Sequence, residues 1–105
     1  MDVSSIMQQA QQMQAKLIRI QQELAQMSVQ GSAGGGMVTV KVNGKGEVLS
    51  IVIEKEIISS SDTDMLQDLI VAATNDGLRR AKELSRQAMG KLTGGMNIPG
   101  ISDMF

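Results

Sequence analysis

The chain has 105 residues, a net charge of −1 and one aromatic residue, Phe105, so it makes one small domain whose core is Met, Leu, Ile, Val and Ala. It has no Cys and no His, which excludes disulfides, zinc sites built on those residues, thiol chemistry and His-based acid–base schemes. No apolar run is long enough to cross a membrane and no leader-like start is present, so a soluble cytoplasmic protein without membrane, metal, cofactor or small-molecule substrate is expected.

Residues 4–28 carry the first pattern. Ile6, Ala10, Met13, Leu17, Ile20, Leu24 and Met27 alternate at spacings of four and three, an a/d seam uninterrupted by Pro or Gly. Glutamines fill most of the space between, which predicts a rod of about 37 Å that lays one stripe against a long partner. A minor stripe of Met7, Ile18 and Ala25 predicts a second neighbour, either the chain's other helix or a second copy of the chain. Lys16 and Arg19 fall on the opposite side, with Glu23 spaced to pair with Arg19.

Gly31 and the run Gly34-Gly35-Gly36 end helical character, and residues 32–36 read as a turn or a weak edge strand. A phosphate-cradling loop would need to lead into a helix, and the next element here is a strand. Residues 37–43 and 47–54 alternate apolar and polar positions around Asn43-Gly44-Lys45-Gly46, a β-hairpin signal. Pairing Val42 with Glu47 would set Val40 opposite Leu49, but a two-residue shift keeps the same faces, so the register stays open. Residues 29–33 add a candidate third strand, and Ile57-Ile58 reads as the close of the sheet.

Ser61, in an S-x-x-D pattern with Asp64, or alternatively Asp62, is the expected cap of a second helix over residues 63–89. Its main stripe is Leu66, Leu69, Ile70, Ala73, Gly77, Ala81, Leu84 and Ala88, and its second is Val71, Leu78 and Met89. Gly77 inside the main stripe costs about 1 kcal/mol of helix stability and reads either as plain drift or, the favoured reading, as a close-approach point for another backbone. Leu66, Leu69, Ile70, Ala73, Gly77 and Leu78, with Met7 and Ile18 from the first helix, are the candidate surface for a second copy. Residues 90–105 contain Gly, Asn and Pro and read as a mobile tail, yet Met96, Ile98, Ile101, Met104 and Phe105 are apolar enough to dock on a partner.

Charge is segregated. Residues 54–76 are mostly acidic, whereas residues 77–91 hold Arg79, Arg80, Lys82, Arg86 and Lys91 against Glu83. Helix-dipole matching accounts for part of this, acids near the start and bases near the end. Arg79, Lys82 and Arg86 share one helix face, which reads either as a solvated face or as a phosphate-binding one. No nucleophile–base pair can be assembled without His or Cys, so catalysis is not expected and no catalytic residue is assigned.

The patterns predict an α+β chain of order α-β-β-β-α, with residues 1–89 as the domain and 90–105 as its tail. That order, with the segments QQAQQMQAKLIRIQQELAQM, GSAGGGMVTVKVNGKGEVLSIVIE, MLQDLIVAATNDGLRRAKELS and MGKLTGGMNIPG, resembles the YbaB/EbfC family of bacterial nucleoid-associated proteins. Lys55-Glu56 stands where the family often has Asp-Pro, and Gly77 where it usually has Ala. The resemblance implies a homodimer with protruding helical arms that binds duplex DNA in the nucleoid and influences transcription. On the charge map, Arg79, Arg80, Lys82, Arg86, Lys91, Lys16 and Arg19 are the candidate DNA contacts. With no internal aromatic to stack on bases, single-stranded binding is not expected, and phosphate contacts predict weak sequence preference. The competing expectation is a protein-interaction adaptor that uses the heptad seam and the apolar tail.

Overall fold

The computed structural model describes residues 2–59 and 62–92. Helix α1 is Val3–Gln26, strands β1, β2 and β3 are Ser28–Ala33, Val38–Asn43 and Val48–Ile53, a one-turn helix α2 is Lys55–Ile58, and helix α3 is Thr63–Leu92. The expected order is present with α2 as an addition. Ile57-Ile58 is therefore not the end of a strand: Ile57 turns inward from α2 and joins the core. Ser61 and the residues 93–105, including the apolar tail positions, lie outside the described residues.

Helix α1 begins one residue earlier than the apolar pattern implies because Asp2 caps it, its carboxylate accepting from the Ser4 amide at 3.2 Å. For α3, the Asp62 carboxylate accepts from the Met65 amide at 2.9 Å, one of the two caps expected. The three glycines 34–36 all have positive φ and close the β1–β2 turn.

The sheet is antiparallel in the order β1-β2-β3. Val38 pairs with Ile53 and Val40 with Ile51, the register two residues on from the Val42–Glu47 pairing. A bulge between Lys41 and Val42 then sets Val42 opposite Val48, leaving Leu49 as the extra residue. On one sheet face Val38, Val40 and Val42 are buried with Ala73, Ala81 and Ile57. Each fully buried valine contributes about 1.5–3 kcal/mol.

Helix α3 lies across β1 and β2 and leaves β3 uncovered. Its main stripe is buried or half-buried from Leu66 to Ala88, as expected. Of the residues expected to meet a second copy, Leu66, Leu69, Ile70, Ala73 and Gly77 are packed on the chain's own sheet. Leu78, Met7 and Ile18 stay exposed. Strand β3 instead presents apolar side chains to solvent, with Val52 62%, Leu49 52% and Ile51 44% exposed.

Candidate nucleic-acid interface

Helices α1 and α3 meet near their C-terminal halves, antiparallel. Leu24 packs there with Ala81 nearby, while Lys16 and Lys91 line the same groove further out. That groove, about 340 Å³, has a floor of Ile20, Leu24, Met27 and Ala88 and a rim of Lys16, Arg19, Glu23 and Lys91. Beyond it residues 2–16 are all exposed, and α1 has no neighbouring element there among the described residues. Within the heptad seam only Leu17, Ile20 and Leu24 are buried or half-buried, while Ile6, Ala10 and Met13 are exposed and Met27 is partly open to solvent at the groove.

The seven candidate cations divide into two groups. On α3, Asp76 holds both Arg79, at 3.6 Å, and Arg80, at 3.2 Å. Two guanidinium cations against one carboxylate leave that trio one net positive charge. Arg86 pairs with Glu83 at 3.2 Å. Lys82, Lys91, Lys16 and Arg19 have no ion-pair partner within 4 Å among the described residues. The expected Arg19–Glu23 pair is not among those formed. The acid that helical spacing sets beside the basic face thus takes up part of its charge, and the unpaired cations gather where α1 and α3 come together.

Asp76 has a second task. Its Oδ2 accepts from the Ser32 amide at 3.0 Å, satisfying an outward N–H of the edge strand β1 and tying α3 to it. That hydrogen bond, aided by the nearby Arg80 and Arg79, holds the carboxyl below its ordinary value of 3.8 despite the opposing effect of burial. Among the described residues no His, Cys, Asp or Glu cluster suited to a metal ion occurs, and no helix is long and apolar enough to cross a membrane.

One further cation is marked by no sequence pattern. Lys45, in the β2–β3 turn, lines a crevice with Lys82 of α3. It sits in a turn without periodicity, so only the fold brings it to the helix face.

The sequence matches the YbaB/EbfC DNA-binding family over residues 1–96. The chain belongs to this family. A nucleoid-associated protein of Desulfotalea psychrophila is 59% identical over 105 residues, spanning 100% of this chain and 99% of the relative. Another from Syntrophobacter fumaroxidans is 55% identical over 95 residues, 90% of this chain and 86% of its own length. The fold is shared with the crystal structure of an uncharacterized Helicobacter pylori protein, TM-score 0.80 at 24% identity, covering 90% of this chain and 99% of that one. The YbaB/EbfC assignment therefore covers the fold and both helices that carry the unpaired cations.

Proposed function

We propose that this chain is a nucleoid-associated protein that binds duplex DNA as a homodimer, mainly through phosphates and with weak sequence preference. The observation that carries the reading is the α1–α3 groove, whose rim brings Lys16, Arg19 and Lys91 together without ion pairing among the described residues. Such cations neutralise phosphates and release counterions, and phosphates carry no sequence information. The family description and the nucleoid-associated relatives support DNA as the partner and the nucleoid, within the cytoplasm, as the location. The same assignment favours a binding protein over an enzyme.

A second copy is the proposed cover for β3. An edge strand with exposed Leu49, Ile51 and Val52 is a ready template for association, and a 105-residue chain gains from added burial. Met7, Ile18 and Leu78 remain available to the same dimer.

The test is a gel shift with random-sequence duplex DNA at low and moderate salt, alongside a sedimentation mass. The expected result is a dimer whose affinity falls steeply with salt and is reduced in Lys16→Gln plus Arg19→Gln. Salt-insensitive binding, or none, would overturn the reading. It would favour the adaptor alternative, for which the exposed outer seam at Ile6 and Met13 is the relevant surface.

A further inference from the structure

The β2–β3 turn is held both by its own side chains and by the end of α1. Asn43 is buried at 4% exposure, and its Oδ1 accepts from the Lys45 and Glu47 amides at 3.0 Å each. The Gly44 amide donates to the Leu24 and Met27 carbonyls at 2.9 and 3.1 Å, fastening the turn to the end of α1. A side chain added at Gly44 would meet Leu24 within 2.7 Å, so the fit is close.

This clamp has an electrostatic effect. Glu47 is the acid nearest to Lys45 in sequence, yet its Oε1 accepts from Asn43 Nδ2 at 2.9 Å. Lys45 has no ion-pair partner among the described residues, and neither has Lys82. Both line one crevice of about 270 Å³, together with Gln21 and the half-buried Ser85. Among the described residues no acid lines it. The amides of residues 44–47 are already committed to protein acceptors. The donors left for a ligand are the two ammonium groups, the Gln21 amide and the Ser85 hydroxyl, a set suited to a phosphate oxygen.

We propose that the crevice between the β2–β3 turn and α3 is a second phosphodiester subsite, with Lys45 and Lys82 as its cations. It rests on the duplex-binding reading above and adds a contact point away from the α1–α3 groove. Its geometry is set by Asn43, which acts as a positioning residue by fixing the turn and drawing Glu47 aside. Because Lys45 projects from a turn and Lys82 from a helix, the pair brackets a backbone phosphate from two elements at once.

The test compares the salt dependence of duplex binding for the full chain, Lys45→Gln, Lys82→Gln and the double variant. Lys41→Gln is the control, since Lys41 lies on the sheet face opposite α3. Each lost contact is expected to lower the slope of log affinity against log salt by about 0.9, and twice that where both copies engage. The double variant should lose the contributions of both lysines. A steep wild-type slope left unchanged by Lys45→Gln, or lowered equally by Lys41→Gln, would overturn the subsite and leave duplex binding standing. A wild-type protein that does not bind duplex DNA, or binds without salt dependence, would overturn both.

Discussion

Gly31 of β1 and Gly77 of α3 meet backbone to backbone. A Cβ on Gly31 would collide with the Gly77 amide and the Ala73 carbonyl, and would lie 2.6 Å from Gly77 Cα. On Gly77 the first obstacle is a single methyl, Val42 Cγ2 at 2.7 Å, with main-chain atoms only at 3.5 Å. Glycine in the helix stripe and glycine in the edge strand are two halves of one contact, which lets α3 sit directly on the sheet.

The two alanine substitutions should therefore differ. Gly31→Ala forces rigid backbone apart and should cost about 3 kcal/mol, a fall in Tm on the order of 15 °C. Gly77→Ala gains about 1 kcal/mol of helix propensity, which offsets most of the cost of displacing the Val42 methyl. A net loss of about 1 kcal/mol or less is expected. Urea titration of both variants checks the ranking.

Asp76 couples stability to acid pH. Its folded-state pKa is depressed, so its contribution is complete above the ordinary value of 3.8 and is lost as the pH falls through the depressed one. Asp76→Asn should lower stability at neutral pH and shrink the additional loss below about pH 4. Thermal melts between pH 2.5 and 7 measure both effects.

The basic positions should not be equal in binding. Arg79 and Arg86 are paired with Asp76 and Glu83, and a cation that must first leave a carboxylate gains less from a phosphate. Arg79→Gln plus Arg86→Gln should flatten the salt dependence less than Lys16→Gln plus Arg19→Gln. Fluorescence anisotropy with a labelled duplex resolves the difference.

The uncovered strand gives a test of assembly. Leu49→Lys plus Val52→Lys alters two exposed side chains of β3. If a second copy covers them, each buried apolar group contributes about 2 kcal/mol, about thirtyfold in the dimer constant. Sedimentation should show the wild type as a dimer and the double variant as a monomer with unchanged secondary structure.

The parts of the fold with strong periodicity were legible in the sequence. The α3 stripe from Leu66 to Ala88 and the Val38/Val40/Val42 face lie where spacing put them, and Gly77 is a close-approach point as its place in the stripe implied. Strand β1 was faint because Ser, Gln, Gly and Ala carry little strand preference. It forms through its full pairing with β2. Register was out of reach because the bulge at Leu49 changes the pairing without changing which residues are apolar. Helix α2 was hidden because two adjacent isoleucines look the same in a strand and in a single helical turn.

For the candidate site, the sequence located the cations but not their neutralisation. Asp76 precedes Arg79 and Arg80 by three and four residues, the spacing at which helical side chains meet, and so draws charge from the face it borders. Lys16 and Lys91 stand far apart in the chain, and only the antiparallel crossing of α1 and α3 unites them.

The outer part of α1 runs past the groove with every side chain in solvent. A lone helical segment of about a dozen residues is marginal in water. Its amide protons should therefore exchange with deuterium far faster than those near Leu24, as a fraying lever on a firm hinge. Slowed exchange along residues 5–15 would then serve as a built-in gauge that something has gripped the arm.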